Sequence, residues 1–468
     1  MMGAREAFPH RSYWLEQSLG ADNAAAPLRG REQADIAILG GGYVGLWTAL
    51  QIKAQEPSRD VAIVERDVCG GGASGRNGGF VLSWWPKFPT VRRLFGESEA
   101  LRLVRASENA VAEIESFCRG HEINAAFVRQ GWLWTATSRA QLGAWDAVVG
   151  SAERLGSHAF STLAPEEVAR RTGSATHLAG VLERGAATVQ PAALVRGMRA
   201  VALRQGVRIY EGTRARKFSR ARPVVIECSD GTLTANTLII ATNAWAVGVP
   251  ELGRAVAVIS SDIVATPPIP KRLEQIGWTG GEGITDSQMM VCYYRTTGDG
   301  RIVFGKGGWG IAYGDRLGTD LDRDARRARL VEADFRRYYP SLRDVPIVAD
   351  WCGPIDRTMD GLPLIGRLGG RDHILYGIGW SGNGVGPSVV GGKILASLAL
   401  SRKDEWSSCA LVDRPHREFP PEPLRFIGGQ LVRGAVIRKE RAEGADRAPS
   451  RLDLALAHLA PAGLEDKD

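Results

Sequence analysis

Apolar residues in the first part of the chain come in short unbroken runs that end at glycine or at a charge. Ile36, Ala37, Ile38 and Leu39 stop at Gly40, the pattern of a strand buried on both faces. Leu46, Ala49, Leu50 and Lys53 then fall at helical spacing, and Val61–Val64 forms a second buried run. Together they predict a strand–helix–strand unit of about thirty residues. A helix is expected over 98–120, where Leu101, Val104, Val111, Ile114 and Phe117 share a face, and a strand over 126–136. Pro165 opens a short helix over 164–171, and Pro191 a longer one reaching about Arg204, followed by a strand at Val207–Tyr210. Thr237–Ala241 is another buried strand. Residues 288–295 and 301–305 predict a hairpin across Gly298–Gly300. Ile374–Ile378 reads as a strand, leading through a glycine-rich turn to a helix from about Pro387 to Leu400. Residues 1–30 read as a leader packed on the surface.

A chain of 468 residues exceeds one compact core, so at least two domains are expected. The net charge is +7, but no block of five or six like charges marks a nucleic-acid-binding tail. The 6 cysteines are scattered, without a C-x-x-C pair or metal-ligand spacing, and the 7 histidines are isolated. No metal is therefore expected. A reducing compartment fits better than a disulfide framework. No apolar run approaches the roughly 20 residues a membrane span needs, and no signal-peptide pattern opens the chain. A cytoplasmic protein without membrane or nucleic-acid partners is expected.

The glycines change the picture from fold class to chemistry. Within ADIAILGGGYVGLWTAL, Gly40, Gly42 and Gly45 form G-x-G-x-x-G between a strand and a helix. The first permits the tight turn, the second lets a pyrophosphate approach the backbone, and the third lets helix and strand pack closely. The pyrophosphate would meet the helix N-terminus, whose N–H groups and dipole favour an anion. Glu65, at the end of the second strand, is placed to accept hydrogen bonds from ribose hydroxyls. This context makes a dinucleotide-binding fold specific, without saying which dinucleotide.

The segment GGGASGRNGGF at 70–80 decides that. Here the chain resembles the flavin-dependent oxidoreductases of the D-amino-acid oxidase superfamily, nearest to the branch of γ-glutamylputrescine oxidase and related amine oxidases. The resemblance runs from about Ala34 to Gly428. It implies a loop beside the flavin ring at Ala73, Ser74, Arg76, Asn77, Gly78 and Gly79, with further FAD contacts from Tyr43, Val44 and Arg66. TLIIATNAWA (237–246) is similar to the family's second small-residue turn, implying Thr242, Asn243 and Trp245 near FAD. TMDGLPLIG (358–366) and GIGWSGNGVGPS (377–388) are similar to its C-terminal flavin motif. That motif implies Gly382, Asn383, Gly384 and Val385, and a second helix N-terminus facing the flavin. Ala215 matches the position that touches adenine.

The implied architecture is α/β: a Rossmann-type FAD-binding domain with an inserted α+β substrate domain built on an antiparallel sheet. The expected division assigns 31–90, 175–250 and 345–428 to the FAD domain, and 91–174 and 251–344 to the substrate domain. A helical tail, 429–468, follows; its basic amphipathic segment FIGGQLVRGAVIRKERAEG is expected to pack on the FAD domain.

Alternation in CYYRTTGDGRIVFG (292–305) puts Cys292 and Tyr294 on one face, Tyr293 and Arg295 on the other. The resemblance favours Tyr294 toward substrate. Trp84, Trp85 and Trp380 are candidate walls of an aromatic cage for a cationic amine. The resemblance implies that the lysine holding the substrate carboxylate in sarcosine oxidases falls at Gly386, and the arginines holding it in glycine oxidases fall near Ile355 and Gly382; none of these is basic here, while Asp356 lies close by. The oxygen-activating lysine of sarcosine oxidases aligns with Val303, with Lys306 three residues on. Cys352 is one position early against the cysteine that links flavin in those enzymes, so non-covalent FAD is expected.

The reading is an FAD-dependent amine oxidase or dehydrogenase. Hydride passes from the carbon bearing nitrogen to flavin, water hydrolyses the imine to an aldehyde or ketone, and dioxygen or another acceptor reoxidises the flavin. One alternative is an amino-acid oxidase that holds its substrate carboxylate through Arg295. A second is an RNA-modifying flavoprotein, suggested by the basic pI of about 9.2.

Overall fold

A computed structural model describes residues 10–19, 24–318 and 321–466. Its centre is an eight-stranded sheet in which the run ending at Leu39 is the hub. Gly30–Leu39 pairs in parallel with Val61–Val64 on one side and with Gly231–Ile240 on the other. Arg208–Tyr210 and Ile374–Ile378 extend the sheet outward, and Leu364–Arg367 closes one edge antiparallel. Helices Tyr43–Gln55 and Ser388–Ala399 lie against each other beside it. They meet so closely that a Cβ on Gly392 would stand 2.6 Å from that of Trp47. Parallel strands buried on both faces explain the unbroken apolar runs: Val61, Ala62, Ile63 and Val64 are all buried.

The second eight-stranded sheet runs, in spatial order, Ala349–Arg357, Ala257–Ala265, Ile302–Ile311, Cys292–Thr296, Gly283–Asp286, Trp132–Ala136, Ala179–Glu183 and Phe160–Leu163. It is antiparallel, as expected, except where Gly283–Asp286 runs parallel to Trp132–Ala136. The expected hairpin is present as Cys292–Thr296 and Ile302–Ile311. The strand expected from 126 begins only at Trp132, after Ala126 and Gly131 take positive φ values of 45° and 93°.

Two expectations about the ends of the chain are corrected. The leader is not a surface segment: Tyr13–Leu19 is a helix whose Trp14 and Leu15 are buried with Ile263, Val303 and Trp351. Residues 1–9 and 20–23 of that leader lie outside the described residues. The basic helix Leu424–Glu443 packs on the second sheet and not on the first. Its Ala435 and Val436 are buried, Val436 beside Met290, and Glu440 accepts from the Met290 N–H at 2.7 Å. Among the described residues no helix is long and apolar enough to cross a membrane.

Candidate functional site

A cavity of about 740 Å³ runs from the carboxyl ends of the first sheet's parallel strands to the near face of the second sheet. At its first end the chain leaves Leu39 through Gly40, whose φ of +106° glycine alone adopts easily. A Cβ there would come within 2.4 Å of the Ala241 carbonyl oxygen. Gly45 lets the helix sit on the strand, since a Cβ would meet the Gly40 oxygen at 2.0 Å. Gly42 faces the cavity, and Ser74 Oγ accepts from the Tyr43 N–H at 2.9 Å. This bond ties the A-S-G-R-N-G-G loop to the helix N-terminus.

Asn77 shapes that loop internally, accepting from the Gly79 N–H at 2.8 Å and donating to Ala73 and Ser74 carbonyls. Glu65 follows the second strand, and its carboxylate accepts from the Gly41 and Asp67 N–H groups at 2.8 and 2.9 Å. Burial pushes its pKa up to about 7. Arg66 lies over the Trp245 ring, 4.7 Å from its centroid.

The second glycine turn is held by Asp356. Its carboxylate accepts from the Gly379 and Trp380 N–H groups at 2.5 and 3.1 Å, and burial raises its pKa to about 7. Asn383 donates to the Ser83 carbonyl at 2.9 Å, fixing the approach to the helix Ser388–Ala399. Across the cavity Asn243 takes a positive φ of 47°, and its Oδ1 is buried without a hydrogen-bond partner. A helix N-terminus with a bare glycine, an acid at the second strand's end and an orphaned buried acceptor together fit FAD.

Nearly all the expected FAD contacts line this one cavity: Gly40, Gly42, Tyr43, Val44, Glu65, Arg66, Ala73, Ser74, Arg76, Asn77, Gly78, Ala215, Thr242, Asn243, Trp245, Gly382, Asn383, Gly384 and Val385. Gly45 and Gly79 do not. Gly45 is a packing glycine, and Gly79 is a turn with φ +77° against the Val189 carbonyl. Arg76 sends its guanidinium away from the cavity, to Asp322 at 2.7 Å and to the Gly71 and Cys352 carbonyls.

The expected substrate residues fare less well. Tyr294 is wholly buried on the far face of its sheet, stacked on Phe304 and hydrogen-bonded to His177. Tyr293, on the other face, lines the cavity, its hydroxyl 2.6 Å from Ser261 Oγ. Arg295 does not reach the cavity. It donates to the Gly78 and Val189 carbonyls at 2.8 and 2.6 Å and lies over Trp14. Trp84 and Trp85 are core residues, 2% and 1% exposed, and neither lines the cavity. Trp380 does. Asp356 lines it too, but with both carboxylate oxygens engaged by backbone N–H groups it is not a free anion for an ammonium group.

Lys306 also turns away, donating to Gln288 at 2.7 Å with Asp334 at 3.2 Å. Sequence reasoning missed Thr285, Leu464 and Arg357, which line the cavity with Phe80, Tyr293 and Trp380. Burial lowers the Arg357 pKa to about 10. Only alternation in the Ala349–Arg357 strand could have suggested it, and Arg357 is the last residue of that strand.

The model of the family described as "DAO: FAD dependent oxidoreductase" matches residues 35–398. The chain is 30% identical to a probable oxidoreductase OrdL of Rhizobium meliloti, over 91% of this chain and 94% of that one. It is 28% identical to gamma-glutamylputrescine oxidoreductase of Escherichia coli, over 85% and 89%. Glycine oxidase of Geobacillus kaustophilus has the same fold, with a TM-score of 0.67 at 19% identity, covering 82% of this chain and 100% of that one.

Proposed function

We propose that this chain, which belongs to the DAO family of FAD-dependent oxidoreductases, oxidises the C–N bond of a small amine that carries no carboxylate on the reacting carbon. One observation carries the reading: the cavity continues from the glycine-lined cradle into a chamber walled by Phe80, Tyr293, Trp380 and Leu464. Similarity to gamma-glutamylputrescine oxidoreductase supports an amine, and that to glycine oxidase keeps the same bond in play.

FAD, when bound, supplies the two-electron acceptor for the hydride leaving the carbon next to nitrogen. The chain's own residues hold and exclude. Gly40, Gly42 and the N-terminus of Tyr43–Gln55 would receive the pyrophosphate, Glu65 the ribose and Ala215 the adenine side. The loop Ala73–Gly78, with Thr242, Asn243 and Trp245, would flank the ring system. Gly382–Val385, ahead of the second helix, would present its N–H groups to the flavin edge, an electrostatic contribution from a preorganised backbone. Asp356 positions the Gly379–Trp380 turn. Tyr293, Trp380 and Leu464 orient the substrate and keep water from the amine.

Attachment of FAD is non-covalent in this reading. No cysteine or histidine is among the described residues lining the cavity. Cys352 is buried on the other side of its strand, with Arg327 and Asp262. Water hydrolyses the product imine, and dioxygen or another acceptor takes the electrons. Lys306, held by Gln288 and carboxylates outside the cavity, offers no oxygen-side cation there. Anaerobic bleaching of the bound flavin across a panel of amines and amino acids tests the reading. A flavin that stays oxidised with every amine overturns it.

A further inference from the structure

The C-terminal segment returns to the cavity and is clipped there at both ends. Ala462 donates its N–H to the Met359 carbonyl at 3.0 Å, and its carbonyl accepts from Arg357 Nη1 at 2.7 Å. Four residues on, Asp466 donates its N–H to the Pro86 carbonyl at 2.8 Å. The Asp466 carboxylate accepts from Lys87 Nζ at 2.5 Å and from the Thr90 N–H at 2.7 Å. Between these anchors Leu464 forms part of the cavity wall. Glu465 is only 3% exposed and accepts from Thr285 Oγ1 at 3.4 Å, and Thr285 also lines the cavity.

Arg357 faces this segment. Its Nε is buried without a hydrogen-bond partner, and after burial itself the Glu465 carboxylate is the strongest influence on its charge, ahead of Asp356. A buried guanidinium lining a substrate chamber is otherwise a ready receptor for a carboxylate. Here the Ala462 carbonyl takes one of its donors, and Glu465, three residues further along the same segment, adds a negative charge to its surroundings.

We propose that Ala462–Asp466 is part of the substrate site, and that Glu465 is the internal counter-charge of Arg357, which makes the chamber accept amines and reject carboxylated ones. This rests on the amine-oxidation reading and adds the residue pair that sets its substrate class. Arg357 lines the cavity and Glu465 is buried behind Thr285, so a carboxylate that approaches the guanidinium also enters the negative field of Glu465. An uncharged or ammonium-bearing chain meets no such repulsion. Leu464 and Tyr293 supply apolar contact.

The test uses the flavin-loaded enzyme and benzoate, followed by perturbation of the flavin absorbance, so it is independent of turnover. Glu465→Gln keeps the acceptor for Thr285 but removes the charge. Benzoate binding is expected to tighten about tenfold or more, since a buried cation has lost its partner. Adding Arg357→Met to that variant returns binding to the wild-type level. Equal benzoate affinity in wild type and Glu465→Gln overturns the proposal.

If Glu465→Gln does not fold, Asp466→Asn carries the test. It loosens the clip at Lys87 and Thr90 and is expected to shift benzoate affinity the same way. Unchanged affinity overturns the proposal in that case. Failure of the amine-oxidation reading is distinguishable. It appears as a flavin that no amine reduces, whatever benzoate does.

Discussion

Tyr293 and Tyr294 are neighbours on one strand and belong to different parts of the molecule. The Tyr293 hydroxyl meets Ser261 at the cavity. Tyr294 is sealed behind the sheet, with Trp278 and Tyr339 edge-on to its ring and His177 on its hydroxyl. Strand alternation guarantees that only one of two adjacent side chains can reach a given face. The face that turns to the cavity is set by the helix Ala325–Tyr338, whose Phe335 and Tyr338 pack on Phe304 and claim the other one.

The two tyrosines should therefore fail differently. Tyr294→Phe removes the partner of a buried imidazole and is expected to cost about 1–3 kcal/mol of stability, leaving flavin binding intact in the folded fraction. Tyr293→Phe should leave stability within about 1 kcal/mol and change substrate kinetics. Chemical denaturation alongside steady-state kinetics of both variants decides; the opposite pairing of effects would return Tyr294 to the site.

His177 makes the same core sensitive to acid. Burial pushes its pKa down to about 4, below the ordinary 6.5. Between these values the unfolded chain binds a proton that the folded chain refuses, so this contribution to stability is complete above pH 6.5 and is lost as pH falls toward 4. Two to three pKa units correspond to roughly 3 kcal/mol. His177→Gln, which can still bond Tyr294, should be flatter than wild type over that window. Unfolding free energies at pH 4.5 and pH 7 compared for the two proteins check it; parallel curves would count against the assignment.

At the other end of the cavity, Gly42→Val should abolish FAD binding. Even a bare Cβ there would stand 2.9 Å from Ser74 Oγ, which caps the helix, and the added branches would fill the approach to the backbone. Glu65→Ala should weaken FAD without unfolding the chain, by about 1.5–3 kcal/mol per lost charge-assisted hydrogen bond. Flavin content after gel filtration is the measurement, and full occupancy of the valine variant would remove the phosphates from this turn.

The parts of this design legible in the sequence are those where backbone conformation forces residue type. Gly40, Gly45 and the Asn77 loop are dictated by geometry: nothing larger fits at Gly40 or Gly45, and Asn77 bonds to its own turn. The unbroken runs at Ile36–Leu39 and Val61–Val64 likewise announce strands covered on both faces. What stayed hidden depends on which side of a sheet another element occupies. Trp84 and Trp85 look like a cage and are core, because their backbone N–H groups are fixed by Ser107 and Ser83. Arg357 and Leu464 stand more than a hundred residues apart and meet only through tertiary folding. No local pattern records such a contact.

Arg295 illustrates how a charge can be structural where chemistry would have been expected of it. Its two main donations go to the Gly78 and Val189 carbonyls, joining the Ala73–Gly79 loop to the start of the helix Pro191–Arg204. Arg295→Ala should thus cost about 2–5 kcal/mol by leaving buried carbonyls without donors and lower FAD affinity through the loosened loop. It should not alter the preference between an amine and its carboxylated analogue. A selective loss of carboxylated substrates in this variant would restore Arg295 as a substrate clamp.

The preference itself is the sharpest consequence of the site. For matched pairs, such as an alkylamine and the same molecule with a carboxylate on the reacting carbon, the amine is expected to reduce the flavin at least about tenfold faster at subsaturating concentration. Ile355, Gly382 and Gly386, where the resemblance would put a carboxylate-binding cation, are not basic. A side chain at Gly386 would also run into the Leu82 carbonyl at 2.4 Å, so no cation could be accommodated there without moving the backbone. Arg295 is committed to backbone carbonyls, and Arg357 donates to the Ala462 carbonyl. Burying a carboxylate among Tyr293, Trp380 and Leu464 without an available cation would cost several kcal/mol. An ammonium substrate must shed its proton for hydride transfer in any case, and the neutral amine that results incurs no such penalty. Anaerobic half-reaction rates at several pH values read this directly, and faster reduction by the carboxylated member of each pair would make the enzyme an amino-acid oxidase.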